Sequence, residues 1–346
     1  MNIFNKIEIA LKVALPFVAY RHPKSDEIKG FFQKNDEIYH AETYKESGFV
    51  FAPFDDNKQP ILFPLDKSKI IISHFSDENA SNESKEDVSI FISEEEKINH
   101  IDLVQRGIDF LKTTKNKKVV LSRKLEVDKD VFELLKVFKK LLLTYKNAMV
   151  YVWFHPKVGL WLGATPETLL KVKENKFSTM ALAGTQAYKG SLVVDWQTKE
   201  LQEQQFVTDY IVEKLKGKLT VSDVKTIKAG SLVHLCTSIS GSLSQQFLLK
   251  GLITLLHPTP AVCGFPQQEA KTFILNNEYY NREFYTGFFG EINMVATSSL
   301  FVNLRCMQVL KKSIVIYIGG GITKDSNPEK EWEETVAKSK TMLKML

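Results

Sequence analysis

The sequence predicts a fold that mixes helices and strands, on three observations. Short β-branched and aromatic runs with alternating character, such as residues 49–75 and 160–164, read as strands. Amphipathic stretches with capping signals, opening at Ser93 and Asn327, read as helices. The last strand, Ser-Ile-Val-Ile-Tyr-Ile from Ser313, runs through Gly319-Gly320-Gly321 into a charged helix. The 346 residues suffice for two average domains or one large one, and 44% hydrophobic with 25% charged residues is ordinary globular composition.

Several function classes fall away on composition. The formal net charge of +5 is small, and Lys and Glu are intermixed without a basic stripe, so nothing suggests nucleic-acid binding. Cys236, Cys263 and Cys306 are far apart with no CxxC pair, which argues against a zinc site or a disulfide framework and for a reducing compartment. The apolar N-terminus is broken by Lys6, Glu8, Lys12 and Pro16, so it is neither a signal h-region nor a bilayer span. The expectation is a cytoplasmic protein without membrane or nucleic-acid partners.

The C-terminal stretch carries the strongest chemical signal. Asn327 can cap a helix, Pro328 fits its first position, and acidic residues crowd the positive end of the dipole. Spacings of three and four put Glu331, Glu334 and Lys338 on one face. Carboxylates one turn apart suit a hard cation such as Mg2+, and the lysine could meet an anion beside it. Such pairs are also common on solvated helix faces. The triple glycine just upstream favours a site, because it lets something approach the backbone closely. A second pair, Glu200 and Glu203, sits in a predicted helix over 195–216, so two facing helices would bring four carboxylates together.

Taken in order, the rest of the chain starts with a short helix over 4–14. The polar run 76–87 reads as a mobile loop or as a boundary between a variable N-terminal part, 1–92, and the remainder, 93–346. Ser93 forms a capping box with Glu96, and Ile98, Ile101, Val104, Ile108 and Leu111 form the buried stripe of the helix that follows. Lys118 directly precedes a β-branched strand; pointing inward it could become a neutral general base, pointing outward it is one more solubilising lysine. A helix over 131–145 and strands over 148–154 and 160–164 lead to Thr165-Pro166-Glu167, where a sterically fixed glutamate suits a general acid or a surface turn. Ala183-Gly184-Thr185 reads as a small-residue turn able to offer backbone N–H groups to a carboxylate. His234 lies in strands over 225–243, where a satisfied core histidine is the commoner role. A helix over 247–256 precedes the Pro/Gly-rich segment 257–266, and another spans 267–277. Arg305, placed in the middle of an apolar strand, needs an anionic partner, which a substrate carboxylate would provide.

Taken together, KVVLSR (118–123), GATPE (163–167), ALAGT (181–185), HPTPAVCGFP (257–266), FYTGFFG (284–290), Leu304-Arg305-Cys306 and GGGI…NPEKEWEET..K closely resemble the chorismate-utilising enzymes. The likeness runs in order from about residue 115 to the C-terminus and is nearest to the isochorismate synthases. It implies an α+β fold in which two antiparallel sheets pack as a sandwich with helices outside, residues 93–346 forming the chorismate-binding region. It further implies Lys118 as the base that activates water for attack on ring carbon 2, and Glu167 as the acid that protonates the departing 4-hydroxyl. By the same resemblance Glu203 and Glu334 are direct Mg2+ ligands, with Glu200 and Glu331 as outer carboxylates. Gly184, Thr185 and Lys338 support the ring carboxylate, Tyr285 and Arg305 hold the enolpyruvyl carboxylate, Gly319 and Gly321 admit the substrate, and His234 lies near the ring. A monomer is implied.

Within the family, ammonia-using relatives typically lack a lysine at the Lys118 position, so its presence points to water. Salicylate synthases share that lysine but typically carry a hydroxyl residue where this chain has Ala261. The expectation is therefore an isochorismate synthase, for menaquinone as the more widespread need, with siderophore synthesis as the other route and salicylate synthase as the alternative enzyme. A non-catalytic metal-binding module on the same fold is the reading from another class, and base, acid, carboxylate quartet and Arg305 together argue against it.

Overall fold

The computed structural model describes residues 2–75, 93–128, 132–230, 232–243 and 248–346. The polar run 76–87 and the proposed boundary at residue 92 lie outside the described residues. Two large sheets, antiparallel in every described pairing, make up the body. The first has nine strands in the order Gly264–Phe265, Lys118–Asp128, Ser313–Ile322, Cys306–Val309, Gly159–Thr165, Met149–His155, Phe17–Arg21, Glu27–Gln33 and Ser68–His74. The second runs from Leu219–Val221 through Leu232–Ser242, Lys176–Ala187, Thr168–Lys173, Thr297–Val302, Phe288–Met294, Gly48–Ala52 and Ile61–Pro64 to Tyr39–His40, with Lys225–Ala229 paired to Leu232–Ser242. Strands from the first 75 residues sit in both sheets.

Period-two alternation explains the layering. In Phe17–Arg21, Phe17 and Ala19 face one core while Val18 and Tyr20 face another. In Met149–His155, Val150 and Val152 join the first and Tyr151 and Trp153 the second. The second of these cores lies between the sheets and is aromatic: Phe51 and Phe63 of one sheet stack on Trp153 of the other with ring centroids 4.7 and 5.3 Å apart. Seven helices among the described residues cover the outer faces: α1 (Ile3–Lys12), α2 (Glu94–Thr113), α3 (Leu134–Thr144), α4 (Thr198–Leu215), α5 (Leu249–Leu256), α6 (Gln267–Asn277) and α7 (Pro328–Leu343). α1 and α3 pack with the end of α7 on the first sheet, α4 and α5 on the second. The architecture is the expected sandwich. No described helix is long and apolar enough to cross a membrane.

Caps form as the sequence indicates. Ser93 accepts from the Glu96 N–H at 3.0 Å, and Asn327 from the Lys330 N–H at 3.1 Å. Four expectations need correction. Ile98 is 59% exposed, because the buried face of α2 is His100, Leu103, Val104, Gly107, Ile108 and Leu111, which rotates Ile98 out. Ala183-Gly184-Thr185 is no turn but a bulge within Lys176–Ala187, where the register slips and Gly184 takes φ +73°. Arg305 is not mid-strand: it has φ +48° in the link between Thr297–Val302 and Cys306–Val309. α4 begins at Thr198, three residues later than expected.

Candidate active site

The three glycines are part of a strand, paired as Gly319 with Ser122, Gly320 with Leu121 and Gly321 with Val120. Space, not turn geometry, requires glycine here. A Cβ on Gly321 would lie 2.6 Å from Glu203 Oε1 and 2.9 Å from Lys118 Cε, and one on Gly319 would lie 2.8 Å from Tyr285 Oη. Gly320 is looser, its imagined Cβ standing 3.7 Å from both Glu331 Oε2 and Glu334 Oε1. The strand therefore acts as a rail along which the side chains of α4, α7 and the Lys118–Asp128 strand converge.

Three lysine–glutamate pairs surround this rail. Lys118, fully buried, places Nζ 2.8 Å from Glu203 Oε1. Lys199, in the first turn of α4, is 2.6 Å from the buried Glu331. Lys338 is 2.6 Å from Glu334 and donates to the Gly319 carbonyl at 3.0 Å. Burial works to raise Glu203, yet Lys118, with Lys338 and Lys199 behind it, holds it below the usual carboxylate range. Burial raises Glu331, and Glu334 adds to the shift against the pull of Lys199.

Across the cavity stands Glu167, 3% exposed at the end of Gly159–Thr165. Burial pushes its carboxyl up to about 8, although Lys118 and Arg305 pull the other way. At neutral pH it carries its proton. Glu167, Gly184, Thr185, Glu203, His234, Tyr285, Arg305, Gly319, Gly321 and Lys338 all line one cavity, with Ala261 in its wall. His234 is held neutral by burial and by Arg305 and Lys338. Arg305 Nη2 donates to His234 Nε2 at 2.7 Å, which fixes the proton on Nδ1, 3.2 Å from the Gly184 carbonyl and 3.1 Å from Thr185 Oγ1. Arg305 also donates to the Ala229 carbonyl at 2.8 Å and has no carboxylate partner among the described residues.

Lys118, Glu331 and Glu334 do not line this cavity, and neither does Glu200, which packs beside Gly184. The Glu200 carboxylate accepts from the Gln197 N–H at 3.0 Å, closing the capping box of α4. Lys199 escaped the sequence reading because its partner, Glu331, is 132 residues away. So did the clamp made by Glu278 and Arg282: Glu278 accepts from Ser122 N–H and Oγ at 2.8 Å, while Arg282 donates to the carbonyls of Val120 at 2.7 Å and Val262 at 3.0 Å. An acid four residues before an arginine, just beyond the helix predicted over 267–277, was the available signal.

The donor set fits a hard divalent cation. Glu203, Glu331 and Glu334 offer only oxygens along the glycine rail, and Glu331 Oε2 is buried without a hydrogen-bond partner. In the arrangement present, no group of three or more His, Cys, Asp or Glu side chains among the described residues is close enough to hold an ion, since a lysine engages each carboxylate.

Comparison with known proteins decides the family. Residues 54–346 match the chorismate binding enzymes. The chain belongs to this family. It is 31% identical over 255 residues to the isochorismate synthase EntC of Escherichia coli (strain K12), a match covering 70% of this chain and 65% of that one. The chain thus spans just under two thirds of this relative's length. Among solved structures, one described as the isochorismate synthase DhbC of Bacillus anthracis superposes with a TM-score of 0.82 at 24% identity, covering 99% of both chains. Anthranilate synthase component I of Streptococcus pneumoniae TIGR4 gives 0.67 at 18% identity over 94% of this chain and 92% of that one. The fold is thus common to relatives named for different reactions, and the choice of reaction rests on the site.

Proposed function

We propose that this protein is an isochorismate synthase, converting chorismate reversibly to isochorismate by water attack at ring carbon 2 with loss of the 4-hydroxyl. The observation that carries the reading is a buried Glu167 in the cavity wall, protonated up to about pH 8, together with Glu203 of the same wall, which holds the fully buried Lys118 at 2.8 Å. Hydroxide is a poor leaving group, so a proton donor must stand at the 4-position, and Glu167 is the cavity carboxyl that keeps its proton at neutral pH. Lys118 takes the proton of the attacking water, and must first be released from its ion pair with Glu203.

The substrate is a dianion, and Arg305 and Lys338 are the cavity's cations for its carboxylates, with Tyr285 beside Gly319. Glu203 and Glu334 would hold Mg2+ directly and Glu331 through an outer contact. The ion would supply countercharge to the ring carboxylate. Glu200, turned to its own helix cap, contributes by fixing the start of α4. Ala261 offers no hydroxyl to the cavity, which favours isochorismate over the salicylate synthase alternative. Menaquinone supply is the proposed route, with a siderophore as the alternative.

The test is incubation of the purified protein with chorismate in Mg2+ or in EDTA, with products resolved by chromatography. Isochorismate in equilibrium with chorismate, in Mg2+ only, is expected. Salicylate plus pyruvate at a comparable rate would promote the alternative, and absence of any metal-dependent product would overturn the reading.

A further inference from the structure

A second cavity adjoins the active site and shares Pro166, Arg305 and Thr341 with it. Its walls are the segment 143–148, the turn between Lys225–Ala229 and Leu232–Ser242, and the end of α7. The turn is seated by Gly230 at φ +65°, where a Cβ would come 2.8 Å from the Tyr145 ring; Tyr145 in turn donates to the Thr341 carbonyl at 2.7 Å. Lys228, two residues before Gly230, is exposed and lines the cavity.

Lys228, Lys344 and Arg305 line the cavity, and among the described residues no Asp or Glu does. The active-site cavity differs, since the ionised Glu203 there opposes Arg305 and Lys338. Lys228 rests its ammonium 3.8 Å from the centre of the Tyr188 ring, a contact that holds the group without cancelling its charge. Arg305, in the shared wall, is hydrogen-bonded to neutral groups, the Ala229 carbonyl and the His234 imidazole. Exposed lysines are common on any surface. Here Lys228 and Lys344 flank a concavity with no acid among its described lining residues, ending on a guanidinium common to both cavities, an arrangement that focuses positive potential toward the reaction site.

We infer that this second cavity is an electropositive vestibule that gathers dicarboxylate anions and delivers them to Arg305. The inference rests on the proposed substrate class, and deepens it by assigning the route of approach. Lys228 and Lys344 act on association and not on the chemical step.

The experiment compares wild type with Lys228→Glu/Lys344→Glu, and with Lys173→Glu/Lys176→Glu as a control of equal charge change on exposed residues outside the cavity. Stopped-flow association of chorismate and saturated turnover are measured separately across ionic strength. The vestibule variant should associate about tenfold more slowly at low salt, the deficit closing as the Debye length shrinks below about 8 Å, with saturated turnover and the control unchanged. Equal association rates at low salt, a deficit that salt does not remove, or the same deficit in the control would overturn the inference. Binding without turnover in the wild type would count against the proposed function and leave the vestibule standing. Turnover with unchanged association rates would do the reverse, and absence of chorismate binding would overturn both.

Discussion

Glu167 and Glu203 line the same cavity, both largely out of water, and their environments push them in opposite directions. Glu167 has no ion-pair partner among the described residues and rises to about 8 by burial; Glu203 touches Lys118 and falls below the usual range. Burial alone therefore does not decide protonation. The difference lies in whether a lysine reaches the carboxylate, and that depends on the glycine rail, which lets Lys118 and Glu203 meet over Gly321. A carboxyl kept protonated and a carboxylate kept charged, in one cavity, are the division of labour that an acid-and-base reaction needs.

The largest expected effect comes from removing the lysine that makes the two differ. Lys118→Ala should lower turnover by about 10³- to 10⁴-fold while chorismate binding measured by calorimetry persists; surviving turnover would remove Lys118 as the base. Next, Glu167→Gln should cost about 10²- to 10³-fold in kcat, and wild-type activity should decline as pH rises through about 8 because the donor loses its proton there.

Gly321→Ala and Gly320→Ala sharpen the comparison sterically. The first places a methyl 2.6 Å from Glu203 and should cost about 10²-fold in kcat by displacing the lysine pair, whereas the second, with 3.7 Å of clearance, should be nearly silent. Equal losses in steady-state kinetics would deny the rail its selectivity. Glu334→Gln should raise the Mg2+ concentration needed for half activity about tenfold, and an unchanged titration would take Glu334 off the ligand set.

The smallest effect is on stability. Glu167 is raised in the folded state, so the stability it contributes is fully present below its unfolded value and is lost as pH rises through about 8. Glu203 is lowered, so its contribution is present above its unfolded value and lost as pH falls through the folded one. Thermal melts of Glu167→Gln should accordingly be flatter than wild type between about pH 5 and 8, with the two profiles running parallel outside that window.

What the sequence made legible was local. The strand read over 148–154, the Ser93 and Asn327 caps, and the one-face spacing of Glu331, Glu334 and Lys338 follow from local sequence pattern and recur in the structure. What it hid depends on distant partners. The bulge at Gly184 exists only against the register of Leu232–Ser242, Arg305 owes its left-handed φ to a link between two strands, and Glu200 serves a cap that spacing alone could not distinguish from a metal site. The Lys199–Glu331 pair joins α4 to α7 across the whole C-terminal half. Recurring motifs, not spacing, are what pointed to Lys118 and Glu167 for their proposed roles.

The most direct test of the opposed carboxyls is infrared titration of the protonated carboxyl band in wild type and Glu167→Gln. A band that disappears in wild type near pH 8 and is missing from the variant throughout is the predicted result. If wild type and Glu167→Gln show the same bands between pH 6 and 9, Glu167 is ionised at neutral pH and cannot be the acid.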